Sequence, residues 1–396
     1  MEQAFIKAKP IVTTLEQNGY EAYFVGGAVR DSIMGRHIHD VDIATSAPPT
    51  VVKTLFPVVI PVGIEHGTVI VRHQNESYEV TTFRREGEYK DHRRPSSVNF
   101  IAHLEEDLKR RDFTMNAMAL TSEGELIDPF LGKKDIERRI VRTVGSANDR
   151  FREDPLRILR AYRFVSQLDF SLADETGRAA HTLREEIRHL SVERITQEFE
   201  KLTFGQAVKK ALRLLVNNGI HNHLPCLNDQ DDTLYKLANM SLSSLSQRRE
   251  MWALLLYFMK IEPKRFMNAW KLSNNTKNEV LAILSALREN HSPFDRYTLF
   301  RLGRSLSESY FRVYNLIRNE TVSADLSALR KQYEQLPIKN RSELAVNGAD
   351  FLAMFDKKPG PWLGRLLHDL EYAVVNGHIE NEKSTLKEWG RQWLNH

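Results

Sequence analysis

Tyr23-Phe24-Val25-Gly26-Gly27-Ala28-Val29-Arg30-Asp31-Ser32-Ile33-Met34-Gly35, followed by His39-Asp40-Val41-Asp42-Ile43-Ala44, decides the reading of this chain. The aromatic and β-branched runs at its two ends predict strands. The segment between them, about Ala28 to Met34, predicts a short helix stopped by Gly35. Asp40 and Asp42 flank Val41, so on a strand both point to one face, with Cα atoms roughly 6.5 Å apart. Two acids on one face repel unless something cationic sits between them. Mg²⁺ suits the place, because it takes oxygen ligands and keeps positions open for substrate phosphates. Two such ions about 4 Å apart would serve an attacking hydroxyl and a leaving pyrophosphate. A third acid, Glu79 in the strand-like run Tyr78-Glu79-Val80-Thr81-Thr82, is placed to join them from a neighbouring strand. Taken alone, Asp-x-Asp also fits a solvated turn.

The glycine pair carries a second signal. Glycines between a strand and a helix let backbone N–H groups approach a phosphate, and the helix N-terminus favours negative charge. Arg30, one turn along, adds a bidentate donor for a triphosphate. An ordinary strand-to-helix turn with a surface arginine reads the same way. The chain has no P-loop, no Gly-x-Gly-x-x-Gly and no His-Glu-x-x-His, which leaves the familiar phosphate and zinc motifs without support.

Outward from this stretch, Gly67-Thr68-Val69-Ile70-Val71 and Tyr78 to Phe83 predict further strands. A second helix is expected after Ser46-Ala47-Pro48-Pro49, with Ser46 as cap and the prolines in the first turn. Near residue 145 the texture changes. Beyond it Leu, Arg, Glu, Lys and Ala dominate, with apolar residues three and four apart, and the remainder reads as helical. Breaks fall at His291-Ser292-Pro293, at Leu336-Pro337 and at Lys357-Lys358-Pro359-Gly360-Pro361. The class is therefore α+β, a mixed sheet-and-helix head followed by a long helical body. The 396 residues suggest two or three domains. Lys plus Arg exceed Asp plus Glu by 56 to 52, too little to imply nucleic-acid binding without clustering. One cysteine, Cys226, excludes an internal disulfide and thiolate zinc sites, and suits a reducing, cytoplasmic location. No apolar run approaches the ~20 residues of a membrane span, and no signal peptide is visible at the N-terminus.

Gly26-Gly27-Ala28-Val29-Arg30-Asp31, Asp40-x-Asp42 and Glu79-Val80-Thr81-Thr82-Phe83-Arg84, in this order, resemble the class II tRNA nucleotidyltransferase family. The likeness continues through Arg110-Arg111-Asp112-Phe113-Thr114-Met115-Asn116-Ala117, similar to that family's ribose-recognition motif. Asp128-Pro129-Phe130-Leu131-Gly132 resembles its hinge, and Glu153-Asp154-Pro155-Leu156-Arg157 its base-selecting motif. The resemblance implies a nucleotidyltransferase-type head (1–145) with all-helical neck (146–210), body (211–320) and tail (321–396), the tail holding tRNA. It implies two Mg²⁺ ions on Asp40 and Asp42, with Glu79 as a supporting acid. It further implies that Gly27, Arg30 and Arg111 meet the triphosphate, that Asp112 and Asn116 meet the ribose, and that Arg160 and Arg163 line the nucleotide site. The partners implied are tRNA, CTP and ATP, with no membrane and with room for a homodimer.

Asp154 and Arg157 also make chemical sense as a base reader. Three residues apart on a helix, they would share one face. Cytosine and adenine both present an amino donor beside a ring-nitrogen acceptor; uracil and guanine present a carbonyl beside an N–H. An acceptor-only Asp beside a donor-only Arg fits C and A and mismatches U and G. Glu153–Arg157 and Asp154–Arg157 would equally be ion pairs on a solvated helix face. Arg163 is distinct, because Leu156, Leu159 and Tyr162 place it towards the apolar side, where it needs an anionic partner and a triphosphate would supply one.

The polar run Arg85 to Pro95 reads as a loop that, in the family resembled, accompanies the switch from C to A addition. Bacterial poly(A) polymerases share the head but carry a Gly-Arg-Arg-Phe-like segment where this chain has Val62-Gly63-Ile64-Glu65-His66-Gly67-Thr68. Val346-Asn347-Gly348 and Pro359-Gly360-Pro361-Trp362-Leu363-Gly364 also resemble the family's C-terminal region, and Trp362 reads as a core residue. The expected function is template-independent addition of C, C and A to the 3′ end of tRNA. The alternatives are an A-adding enzyme or poly(A) polymerase on the same head, and a non-catalytic RNA- or nucleotide-binding protein.

Overall fold

A computed structural model describes residues 1–86, 98–318 and 326–394. The chain divides into two units, Met1–Ala238 and Asn239–His396.

The first unit is built on a seven-stranded sheet. In chain order its first strands are β1 (Ala22–Val25), β2 (Asp42–Thr45), β3 (Val59–Gly63), β4 (Thr68–His73) and β5 (Glu76–Thr82). A separate two-stranded ribbon follows, β6 (Arg84–Glu86) with β7 (Val98–Phe100). The short β8 (Ala119–Leu120) and β9 (Leu126–Ile127) complete the sheet, whose order is β3-β4-β5-β2-β1-β8-β9. β2 and β5 pair in parallel and the other neighbours are antiparallel. The β4–β5 hairpin turns through Gln74 and Asn75, both at positive φ, the conformation of a two-residue type I′ turn.

Side chains alternate across this sheet, so each face has one job. Phe24 and Ile43, paired across β1 and β2, are fully buried. Helix α1 (Gln3–Gln17) covers that face with Phe5, Ile11, Val12 and Leu15, and Phe5 meets Phe24 ring to ring at 5.0 Å. Val25, Ala44, Asp42 and Glu79 occupy the opposite face by the same registers. There Val25 and Ala44 pack with Phe83, Leu108 and Val144.

Helix α2 (Gly27–Ile33) joins β1 to β2, and α3 (Pro49–Leu55) follows β2. Ser46 does not cap α3. Its hydroxyl accepts from the backbone N–H of Glu21, the N-cap is Pro48, and Pro49 fills the first position, where no N–H is needed. After α4 (Leu104–Lys109), the turn Arg110–Asn116 is fastened by backbone bonds from Val144 N–H to Asp112 O and from Thr114 N–H to Arg142 O. Helices α5 (Gly132–Glu137), α6 (Ala147–Glu153), α7 (Leu156–Leu168), α8 (Asp174–Thr182) and α9 (Val192–Thr203) follow. Helix α7 is almost entirely buried and packs along α9, with Ser166 Oγ donating to Leu202 O at 2.6 Å.

The second unit is all-helical among its described residues. Its helices end at Glu289, Glu334 and Phe355, next to the breaks expected near 291, 336 and 357. Its core gathers Leu299, Phe311, Phe351, Leu370 and Val374, with Trp362 packed against it half-buried. Fully buried Glu250 is satisfied by Arg312, by Ser309 Oγ and by the backbone N–H groups of Ser246 and Gln247. Most of the run Arg85 to Pro95 lies outside the described residues. No described helix is long and apolar enough to cross a membrane.

Candidate nucleotide and metal site

The face of the sheet away from α1 opens into a cavity of about 990 Å³. Asp40, Asp42, Glu79, Gly27, Arg30, Arg111, Asp112, Asn116, Asp154, Arg157, Arg160 and Arg163 all line it. Every candidate residue named from the sequence is thus brought to one place.

Two of the acids come from strands and the third, Asp40, from the segment just before β2, not from the strand that the sequence reading expected it to share with Asp42. Asp42 opens β2 and stands in direct parallel register with Glu79 of β5, while exposed Asp40 lies two residues earlier. Burial and the charge of Glu79 push the Asp42 carboxyl up to about 6, against the opposing pull of Arg111. Among the described residues no three His, Cys, Asp or Glu side chains cluster as a metal cage of their own. A hard cation that uses one or two carboxylates and completes its shell with water and phosphate oxygens fits this donor set. Gly26 lets Arg111 and Asp42 lie close to the backbone here. Its φ is 76°, and a Cβ there would lie 3.3 Å from Arg111 Nη1 and 3.4 Å from Asp42 Oδ2.

Most of the cations come from the helices and the Arg110–Asn116 turn, with Arg84 from β6. Arg30 donates to Asp31 and, at 2.8 Å, to Asn116 Oδ1. Asn116 in turn donates to Asp112 at 3.2 Å, and Asp112 Oδ2 accepts from Arg160 Nε at 2.7 Å. Burial alone would raise Asp112; Arg160 and Arg157 outweigh it and hold the carboxyl at about 2. One chain of hydrogen bonds therefore ties α2, the turn and α7 together. Nine cationic side chains and five carboxylates line the cavity among the described residues, a local excess that suits a polyanion.

The base-reading pair differs from the sequence expectation. Asp154 is not on a helix with Arg157. It ends α6 at φ −143°, ψ 98°, and Pro155 caps α7, since the residue before a proline is driven to extended backbone. Its carboxylate accepts from Leu156 N–H at 3.1 Å and from Arg194 Nη2 at 2.6 Å. Arg157 bonds Glu153 at 2.7 Å, the i,i+4 pair that the sequence also allowed, and reaches the carbonyl of Arg110 at 3.0 Å. The anionic partner of Arg163 is Glu198 of α9, at 3.0 Å, so no triphosphate is needed to explain its burial.

Sequence reasoning missed Asp107, Arg194, Glu198, Lys201 and Phe164. Buried Asp107 takes Arg110 at 2.7 Å and Arg111 at 3.3 Å, and these cations outweigh burial to hold it below the ordinary carboxylate range. Its spacing of three and four to those arginines, just past the end of α4, was the available signal. Arg194 and Lys201 line the cavity from α9, thirty or more residues beyond the last motif, and nothing in the sequence aims them there.

Comparison with known proteins fits this geometry. The family model "Poly A polymerase head domain" matches residues 22–142, and "tRNA nucleotidyltransferase domain 2" matches 243–389. A CCA-adding enzyme of Bacillus mycoides is 46% identical over 389 residues, 98% of each chain. One from Bacillus cereus has the same identity and coverage. The crystal structure of the Bacillus stearothermophilus CCA-adding enzyme in complex with CTP superposes with a TM-score of 0.94 at 44% identity, over 100% of this chain and 98% of that one. The Thermotoga maritima enzyme complexed with tRNA shares the fold, with a TM-score of 0.62 at 22% identity, covering 98% and 95%. The head model alone would leave polymerases and tRNA enzymes together, but likeness at this level over the whole length does not. The chain belongs to the CCA-adding enzymes, the tRNA nucleotidyltransferases whose order of motifs it carries.

Proposed function

We propose that this protein adds C, C and A to the 3′ end of tRNA, taking CTP and ATP and releasing pyrophosphate. The observation that carries this reading is the division of labour in one cavity: carboxylates on β2 and β5, cations on α2, α7 and the Arg110–Asn116 turn. In the reaction the tRNA 3′-hydroxyl attacks the α-phosphate, a new P–O bond forms, and the bond to pyrophosphate breaks. Gly27, Arg30 and Arg111 hold the triphosphate, with Arg160 and Arg163 behind them. Asp112 and Asn116 sit at the ribose, their orientation fixed by Arg160 and Arg30. Asp40 and Asp42, supported by Glu79, would hold two Mg²⁺ ions, which supply an acidified hydroxyl and charge stabilisation of the leaving group. The rest of catalysis is positioning and preorganised charge.

Residues 1–145 serve as catalytic head, 146–210 as neck, 211–320 as body and 321–396 as the tail that holds tRNA, in one copy or in a homodimer. The activity belongs in the cytoplasm, in keeping with the single Cys226.

In the base-reading step Asp154 accepts from the amino group of C or A and Arg157 donates to the ring nitrogen. Arg194 is the partner the base displaces from Asp154. Asp154→Ala is expected to reduce selection of C and A over U and G by about 10- to 100-fold, the worth of one bidentate contact, with little change in Mg²⁺ dependence. Misincorporation assays check this, and unchanged selection would remove Asp154 from the reader.

The direct test is purified protein with Mg²⁺ and tRNA lacking its CCA, given each labelled nucleotide alone and then CTP with ATP. Two C followed by one A, with little U or G, is expected. Addition of A only to tRNA ending in CC would make it an A-adding specialist, and long A tracts on any RNA a poly(A) polymerase. No incorporation by folded, metal-supplied protein would sink the enzymatic reading.

A further inference from the structure

Three guanidinium groups converge on one phenyl ring. The Cζ atoms of Arg163, Arg30 and Arg160 lie 4.3, 5.3 and 5.7 Å from the ring centroid of Phe164. Phe164 borders the cavity yet is only 4% exposed, and Phe113 meets it edge-to-face at 84° with centroids 5.6 Å apart. The arginines reach it from two helices, Arg30 from α2 and the others from α7.

Like charges held this close repel. Burial and the neighbouring Arg160 push Arg163 down to about 10, with Arg30 acting in the same direction. Carboxylates restrain part of each group: Asp31 on Arg30, Asp112 on Arg160, Glu198 on Arg163. With three carboxylates already set against three guanidinium groups, a fourth would leave the cluster net negative and take up further N–H donors. A phenyl ring does something else. Its quadrupole attracts cations within about 6 Å of the centroid, and it has no oxygen to consume N–H donors.

We propose that Phe164 is a positioning residue for nucleotide addition, whose ring fixes the planes of Arg30, Arg160 and Arg163 while leaving their charge and remaining donors to the triphosphate. The proposal rests on the reading that these arginines meet the triphosphate. Leucine at 164 would fill much the same space without a quadrupole, and tyrosine would keep it.

The test replaces Phe164 with phenylalanine bearing one, two and three ring fluorines, which drain the quadrupole at nearly constant shape, alongside Phe164→Leu and Phe164→Tyr. The KM for CTP and for ATP should climb stepwise with fluorine number. It should reach about tenfold for the trifluoro ring and for Phe164→Leu, or about 1.4 kcal/mol. kcat should change far less, and Phe164→Tyr should stay near wild type. A flat KM across the fluorine series would overturn the proposal, because a ring that only fills space would not respond. Arg30→Ala and Arg160→Ala are measured beside it. If these raise nucleotide KM while the fluorine series is flat, Phe164 alone loses its role. If they leave KM unchanged, the triphosphate reading fails and the proposal fails with it.

Discussion

Asp42→Asn is expected to cut nucleotide addition by roughly a thousandfold or more and at the same time to raise the melting temperature of the protein in EDTA at neutral pH. The two effects share one cause. Asp42 is half-buried beside Glu79, and its carboxyl is held at about 6, above the ordinary 3.8. A group whose pKa is raised on folding contributes stability below its unfolded pKa and loses it as pH rises through the folded value. The Asp42 contribution is therefore intact below about 3.8 and gone above about 6. Asparagine mimics the protonated form at every pH. The variant should thus gain about 1–3 kcal/mol over wild type at pH 7.5, and the gain should shrink as pH falls from about 6 towards 3.8. Thermal melts from pH 7.5 down through that window with EDTA check the stability arm, and labelled-CTP incorporation checks the activity arm. A variant no more stable than wild type at pH 7.5 would mean that Asp42 is already neutralised by its neighbours. One that keeps activity would remove it from the proposed metal site.

Gly132→Ala is expected to unfold or severely loosen the first unit. A Cβ at Gly132 would stand 2.3 Å from the carbonyl oxygen of Thr114 and 2.9 Å from Met118 Sδ. Backbone on that side cannot yield, because Thr114 N–H is bonded to Arg142 O and its hydroxyl to Asp135. The other side is pinned as well, since Asp128 accepts from the N–H groups of Gly132 and Lys133 and Leu131 already sits at φ 58°. Overpacking against fixed backbone costs about 3 kcal/mol or more. A melt read beside exposed Lys133→Ala as control measures it. Near-identical melts for the two variants would show that the turn can shift. Any folded fraction of Gly132→Ala should bind nucleotide poorly, because the Thr114–Asn116 turn moves with it.

These two residues also show what the sequence made legible. Asp42 and Glu79 were readable because both lie on strands, and the glycine pair because it breaks a strand into a helix; Asp40, expected on the same strand as Asp42, instead lies in the extended segment before β2 and still reaches the cavity. The segment resembling a hinge turned out to have a packing reason, as Gly132 lies against Thr114. The partners were not readable. Glu198 lies 35 residues from Arg163, and Arg194 lies 40 from Asp154. Such pairings are made by the packing of α9 on α7, which local spacing does not encode. Asp154 was misplaced onto a helix because its three-residue spacing outweighed the plain steric effect of Pro155. β3 was overlooked because Pro61 and Gly63 interrupt it, a pattern tolerated at the sheet edge where it lies. The two-residue strands β8 and β9 are too short to show a period.

The parallel register of Asp42 with Glu79 has a consequence for how the protein is made. The β4–β5 hairpin can close on its own through Gln74 and Asn75, and such hairpins form within microseconds. The carboxylate pair cannot. Its members are 37 positions apart and meet only after the whole crossover from β2 through β3 and the hairpin has folded back onto β2. Non-local parallel pairing of this kind is slow, since the closure entropy is lost before the contacts reward it. During refolding, strand content should therefore return ahead of catalytic power, because the hairpin closes before Asp42 and Glu79 are brought side by side.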